Sequence, residues 1–351
     1  MVNSSGFPWL ADARSRLMAA SDRLPHGLLI SGPDRIGKSH LGLDLAHLLL
    51  CHSPKNKTAC GVCPSCQLVE NQVHPDFHVI APEAGVERIA PGLSSHAERY
   101  WLEKKTSAAR KPSEQIGVDA IRSLGEELAG TAALGRRKVA LFPIAEAMNR
   151  NAANALLKLL EEPASETYLL LIASALHALP ATIRSRCSQI SCGTPDREIV
   201  AEWLTAETGI ELGEARALAT SGVGPIELAR FIASGKNELL LEWIAWARRF
   251  AEGKSQGPAL LSQSTEAFGA RMALCVLQRE TLAELRLHLL TPQTKKGDDG
   301  VGSAVSNAFT RRFYSVGRAR EGLSRSLDPQ LCLEDILVNT SEGAEIGGRS
   351  I

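Results

Sequence analysis

The sequence has no excess charge, no long apolar run and no signal-peptide pattern, and each absence narrows what the chain does. Lysine plus arginine and aspartate plus glutamate both total 39 in 351 residues, so the net charge is zero. A protein that binds DNA alone through bulk electrostatics carries a basic excess. Any nucleic-acid role is therefore local or shared with partners. No apolar run approaches the roughly 20 residues that span a bilayer, so no membrane role is expected. The segment from Met1 to Pro8 lacks the basic and apolar regions of a signal peptide, and the cytoplasm is the expected compartment. Three of the eight cysteines fall between Cys60 and Cys66. That clustering suits a metal site in a reducing compartment better than a disulfide framework. The apolar and charged fractions, 44% and 22%, are those of a globular chain, and the length predicts two or three domains.

What is present centres on residues 32–39, Gly32-Pro33-Asp34-Arg35-Ile36-Gly37-Lys38-Ser39, a complete G-x-x-x-x-G-K-S phosphate loop. The apolar run Leu28-Leu29-Ile30 before it reads as a buried strand. Leu41, Leu45 and Leu48 after it recur at helical spacing. Gly32 and Gly37 allow the backbone to turn its N–H groups toward an anion. Lys38 offers a cation to the β- and γ-phosphates, the helix beginning near Ser39 adds its positive dipole end, and Ser39 supplies a hydroxyl for Mg²⁺.

Cys51, Cys60, Cys63 and Cys66 form C-x8-C-x2-C-x2-C. Four thiolates converging from such turns make a closed tetrahedral Zn²⁺ site, which leaves no position for substrate and predicts a structural metal. Cys187, Cys192, Cys275 and Cys332 are scattered and read as ordinary core residues.

A first helix is expected through about Leu24, ended by Pro25. His74-Pro75-Asp76 reads as a turn and Phe77–Ile80 as a second strand closed by Pro82. Residues 83–114 mix Gly, Pro, Ser and charge around the apolar island Tyr100-Trp101-Leu102. They read as a surface insertion, either a mobile loop or a small docking patch. Helical spacing resumes from Gly117 through Leu128. Val139–Phe142 is a third strand, Asn149–Glu162 a strong helix stopped by Pro163, Tyr168–Ala173 a fourth strand and Ser188–Ile190 a fifth. Strands alternating with helices imply a parallel sheet covered on both faces. Beyond Thr194-Pro195-Asp196 only helices are expected: Glu198–Glu207, Glu211–Ala219 and Gly224–Ala233 as a small lid, then a further set from 237 to 340, broken by a polar loop at Thr291–Gly302.

A nucleotide-hydrolysing phosphate-loop protein needs an acidic residue at the end of the third strand, to hold Mg²⁺ and to polarise water. Here the strand runs into Pro143 and Ile144. Glu146 comes later, and its spacing puts it a helical turn away. Without that carboxylate, hydrolysis is expected to be very slow even if ATP binds. Arg186, in Ser185-Arg186-Cys187, reads on spacing alone as a surface charge.

These stretches together resemble the clamp-loader AAA+ family of bacterial replication, over nearly the whole chain. The resemblance rests on Phe7-Pro8-Trp9-Leu10, on His26 through Pro33, and on the four-cysteine knuckle. It continues in His74-Pro75-Asp76, Asn154 through Pro163, Ile183 through Cys187, and Leu327 through Glu334. The combination of the Asn154–Pro163 helix with the Ser-Arg-Cys triplet is its most specific part. The resemblance implies three domains: an AAA+ phosphate-loop domain at 1–193 with a zinc module at 51–66, a helical lid at 194–236, and a helical collar at 237–340, before a flexible tail at 341–351. The insertion at 83–114 has no counterpart in the family's core pattern. The resemblance also implies partners: other loader subunits in a hetero-pentameric ring, and through them a sliding clamp and primed DNA. Arg186 falls where the family places an arginine that reaches the ATP of the neighbouring subunit. The family's ATPases carry an acidic pair at Pro143 and Ile144 and a lid arginine at Pro225. Both losses resemble the non-hydrolysing member, with ATPase activity in its partners. The rival expectations are a motor subunit that uses Glu146 as a shifted acid, and a zinc-stabilised adaptor outside replication with a relic phosphate loop. A small-molecule kinase is remote, because no second substrate motif is present.

Overall fold

The computed structural model describes residues 4–21, 23–84, 93–101, 112–134, 136–254, 269–290, 310, 313–319 and 336. The chain divides into two units, Met1–Asp196 and Arg197–Ile351. The first is built on five parallel strands: β1 (Gly27–Ser31), β2 (Phe77–Val79), β3 (Lys138–Phe142), β4 (Thr167–Ala173) and β5 (Ser188–Ser191), in the order β2-β3-β4-β1-β5. β1 to β4 are buried along their whole length, as near-continuous apolar runs in a sheet covered on both faces should be. β5, on the edge, is mostly exposed, which explains its Ser-Gln-Ile-Ser composition.

Two layers of helix cover the sheet. On one face Leu29, Ala140, Phe142, Leu169 and Leu171 pack with Ile121, Leu124 and Leu128 of α5 (Val118–Ala129) and with Leu156 and Leu160 of α6 (Arg150–Glu161). On the other lies α2 (Lys38–Leu50). A Cβ on Gly42 would fall 2.8 Å from Ile172 Cδ1 and 3.0 Å from Leu141 Cδ1, so the helix touches β3 and β4 with no room for a side chain there. α6 begins where expected because the Asn149 side chain accepts a hydrogen bond from the Ala152 N–H at 2.8 Å, satisfying an orphan donor. The α/β class expected from the alternation is what the chain forms.

Two expectations need correction. The first helix, α1 (Ala11–Ala19), stops well short of Leu24. The chain turns instead, the Arg23 N–H donating to Ala20 O at 2.8 Å. Nor is the described part of 83–114 a free surface loop. Leu93 and, from the short α4 (Ser94–Glu98), His96 and Ala97 are buried, as is Tyr100 just beyond it. The Tyr100 hydroxyl meets His78 Nδ1 at 2.5 Å, and Trp101 Nε1 donates to Ala81 O at 2.9 Å. Tyr100 and Trp101 of the apolar island bond to β2 and to the residues that follow it. Residues 85–92 and 102–111 lie outside the described residues.

His74-Pro75-Asp76 has a structural job. The buried Asp76 carboxylate accepts the N–H groups of Ala133 at 2.7 Å and Leu134 at 3.0 Å, tying the turn before β2 to the connection before β3. His74 accepts the Asp76 N–H at 3.0 Å and its Nε2 lies 2.9 Å from Ser65 Oγ. Burial holds the His74 imidazole down at about 4, neutral, against the opposing pull of Asp76. Asp76→Ala should therefore destabilise the first unit by about 1–3 kcal/mol, the cost of stranding two N–H donors. Urea unfolding of the full chain checks this, and a midpoint unchanged from wild type refutes it.

In the second unit α8 (Arg197–Thr208), α9 (Leu212–Ala219) and α10 (Pro225–Ala233) pack together, and α11 (Asn237–Ala251) packs on α12 (Ala270–Leu290). Trp243 is fully buried, stacks on Trp246 at 4.7 Å and donates to Ala273 O at 3.2 Å. Among the described residues this unit has no strand, and no described helix is long and apolar enough to cross a membrane. The loop 291–302, the stretch 327–334 with Cys332, and the tail 341–351 lie outside the described residues.

Candidate functional site

All five strands run parallel, so the ends of β1, β3 and β4 open on one edge: Ser31 pairs with Ala173 and Phe142 with Leu171. In open α/β sheets this edge is where ligands bind. Leaving β1, the chain enters the phosphate loop. Gly37 takes a left-handed φ of 95° as it starts α2. A Cβ on Gly32 would lie 2.3 Å from Cys192 O, so only glycine fits beneath the loop. Lys38 is 4% exposed, and its Nζ donates to Pro33 O at 2.5 Å and to Ser174 Oγ at 3.0 Å. Burial lowers its pKa, with the charges of Asp34 and Glu146 resisting. Ser39 is half-buried in the first turn of α2. The residues fit a nucleotide phosphate: a buried ammonium held by neutral oxygens at a helix N-terminus, under a glycine cradle.

β3 ends at Phe142, and neither Pro143 nor Ile144 offers a carboxylate. Glu146 does. It sits on a 3₁₀ turn, Ala145–Ala147, that brings its carboxylate back to the sheet edge. One oxygen, Oε1, accepts the Ser174 N–H at 2.9 Å. The other, Oε2, is buried with no hydrogen-bond partner among the described residues. Ser174 Oγ also lies 3.4 Å from Asp34 Oδ1. Ser174 was invisible to sequence reasoning. It is a lone serine after an apolar run, and only its place at the end of β4 marks it.

The four cysteines come together as spaced. Their sulfurs all lie within 4.8 Å of one another, with Cys51 and Cys63 3.9 Å apart. A tetrahedron of sulfurs at the usual Zn–S length has edges of about 3.8 Å. Backbone N–H groups of Cys60 and Cys63 point at the sulfurs of Cys51 (3.2 Å) and Cys60 (3.3 Å), the polarity that thiolates need. Burial pushes the Cys63 thiol up, but hydrogen bonds from the Cys66 and His52 backbone outweigh it and bring it down to about 6. The donor set fits Zn²⁺. Cys187 and Cys192 are buried, as expected of core residues, whereas Cys275 is half-buried and donates to Gly222 O at 3.5 Å.

Arg186 follows the short α7 (Ala181–Arg184). Ser185 and Arg186 are exposed, Ser185 Oγ closing the turn on Thr182 O at 3.1 Å, whereas Cys187 packs in the core. The Arg186 Nε and Nη2 meet Glu161 Oε1 at 2.7 and 2.5 Å, and Nη1 donates to Thr182 O at 3.1 Å. Both side chains are partly exposed. Glu161 is the last residue of α6, so the two most specific sequence stretches meet in this ion pair. Sequence reasoning did not single out Glu161. In the second unit Pro225 opens α10.

A sequence model of the family described as "DNA polymerase III, delta subunit" matches residues 14–195. The DNA polymerase III subunit delta' of Pseudomonas aeruginosa is 39% identical over 66% of this chain and 63% of that protein. That of Escherichia coli is 34% identical over 57% and 53%, and that of Yersinia pestis 30% over 83% and 71%. The chain thus spans less than two thirds of the first two relatives. Among solved structures, a DNA polymerase III gamma subunit-related protein of Thermotoga maritima aligns over 94% of this chain and 99% of its own, at 20% identity and a TM-score of 0.45.

Proposed function

Because the chain belongs to the delta prime family of DNA polymerase III subunits, we propose that it is the clamp-loader member that holds nucleotide without hydrolysing it and lends an arginine to its neighbour. The observation that carries this reading is the end of β3: Pro143 and Ile144 stand beside an intact phosphate loop whose Lys38 is buried and aimed into the loop. Binding needs the loop. Turnover needs a carboxylate directly after the strand.

The partners follow from the family. They are the other loader subunits in a hetero-pentameric ring, with the sliding clamp and primed DNA engaged through the complex. We assign residues 194–236 to a lid, which begins three residues before the second unit, and 237–340 to a collar that joins the ring. ATPase activity resides in the partners, Zn²⁺ is structural, and the compartment is the cytoplasm. Arg186 supplies the charge that a neighbour's γ-phosphate lacks; its partly exposed guanidinium, off the phosphate-loop edge, supports that role.

One observation favours a second reading. Glu146 reaches the phosphate-loop edge after all, through Ser174, so a motor that uses it as a shifted acid has a geometry. Binding and phosphate release, followed together on the purified chain with ATP and Mg²⁺, separate the two. The expected result is saturable binding with no release above background. Lys38→Ala should weaken that binding at least about tenfold, a buried ammonium contributing upward of 1.4 kcal/mol to phosphate. Release that Lys38→Ala abolishes would establish the motor instead.

A further inference from the structure

We infer that Glu146 is the carboxylate that makes nucleotide retention in this phosphate loop depend on a divalent cation, a positioning residue for the metal–polyphosphate complex in place of the missing acidic pair. The inference rests on the nucleotide-holding reading above and adds a residue and a sign to it.

Three observations converge. First, Glu146 is anchored. Its Oε1 takes the Ser174 N–H at 2.9 Å, and Ser174 Oγ in turn takes Lys38 Nζ at 3.0 Å. The carboxylate therefore stands on the lysine side of the loop, 28 residues of chain from its anchor and well past the positions directly after β3. Second, its Oε2 is buried with no hydrogen-bond partner among the described residues. Buried carboxylate oxygens are completed by an ordered water or an ion. Third, the Asp34 carboxylate faces Arg35 at 3.5 Å, which leaves Glu146 as the acidic group turned toward the lysine. Asp34 and Glu146 both act on the one ammonium of Lys38.

That balance has a consequence. A carboxylate held beside the loop lysine opposes the charge of a bare polyphosphate. A divalent cation reverses the sign, because Mg²⁺ takes oxygen ligands and is held by one or two carboxylates together with substrate phosphates. Ser39, in the first turn of α2, is the hydroxyl on the same loop suited to that ion. Asp34 is exposed and its Oδ2 faces Arg35 at 3.5 Å, so it is the weaker candidate for holding a metal. Glu146, buried at one oxygen and fixed at the other, is the stronger.

The test is a crossover. The affinity of the full chain for a fluorescent, non-hydrolysable ATP analogue is measured in Mg²⁺ and in EDTA, for wild type and Glu146→Gln. In Mg²⁺ the variant should bind about tenfold more weakly, the loss typical when a group that orients a metal is removed. In EDTA it should bind tighter than wild type, by about threefold, because a repelling charge has gone. A variant that is merely misfolded loses affinity in both buffers, which contradicts the inference. Glu146→Asp, which keeps the charge on a shorter arm, should show the wild-type preference for Mg²⁺ with reduced size. If wild type and Glu146→Gln respond identically to Mg²⁺, Glu146 is not the residue, although the nucleotide-holding reading survives. If wild type binds the analogue in neither buffer, that reading falls and the inference falls with it.

Discussion

Arg186→Ala is expected to slow hydrolysis at the one nucleotide site that it faces in the reconstituted loader by about 10³-fold, with the ring still assembled. The magnitude is the low end of what a trans-acting arginine contributes to phosphoryl transfer. The chemistry explains why so much hangs on one side chain. Charge spreads over the γ-phosphate oxygens as the bond breaks, and a guanidinium fork meets it in two places where water or an ammonium meets it in one. In the free chain that fork is engaged by Glu161 and by Thr182 O. The Arg186 and Glu161 side chains are 38% and 48% exposed, and exposed ion pairs contribute about 1 kcal/mol or less. The contact orients the guanidinium but is weak enough to exchange for a phosphate. Single-site hydrolysis, followed in loaders whose other sites are disabled, is the measurement. Sedimentation confirms assembly. A rate within a factor of two of wild type in an intact ring would remove Arg186 from the mechanism.

The second large effect concerns the metal. The chain is expected to carry one Zn²⁺, and Cys66→Ala to carry almost none. Structural zinc binding in small modules has an apparent free energy of about 10–16 kcal/mol near neutral pH. Losing one thiolate of four removes much of that and leaves three thiols to hold the 51–66 segment. Its non-metal ties include the Lys55–Thr58 bridge and Ser65 Oγ, which donates to Leu50 O at 2.8 Å and lies 2.9 Å from His74 Nε2. α3 (Pro64–Glu70), which carries Ser65 and Cys66, should lose protection with it. Metal analysis gives the stoichiometry, and hydrogen exchange gives the structural outcome. Amides at 51–70 should exchange freely in Cys66→Ala while those of β1, β3 and β4 stay protected, because the sheet core closes without the module. Wild-type protein without zinc, or Cys66→Ala with full protection across 51–70, would mean that the cysteines are only small buried groups.

The sheet-and-helix plan could be read from the chain because each part is a local pattern. Apolar runs at 28–30, 139–142 and 168–173 are strands because a doubly covered sheet buries both faces. Asn149 and Pro163 bracket α6 because a cap and a missing N–H act within one turn. The phosphate loop and the cysteine quartet were legible for the same reason, since close spacing itself puts the groups together. Tyr100 misled, because polar composition around it reads as loop, and only the β2 edge supplies the surface that buries it.

The sequence by itself determined the strands, the helices they alternate with, the loop for a phosphate and four sulfurs for a metal. Only the tertiary structure decided which distant groups those elements bring face to face. Ser174 meets Lys38 across 136 residues and Glu146 across 28; Arg186 meets Glu161 across 25. The physical reason is the parallel sheet. Each crossover returns the chain to the same edge, so residues that follow different strands become neighbours, as do residues that precede them, with no periodicity to announce either. The charge balance of the loop, and with it the difference between an empty acidic position and a displaced one, is a property of that edge.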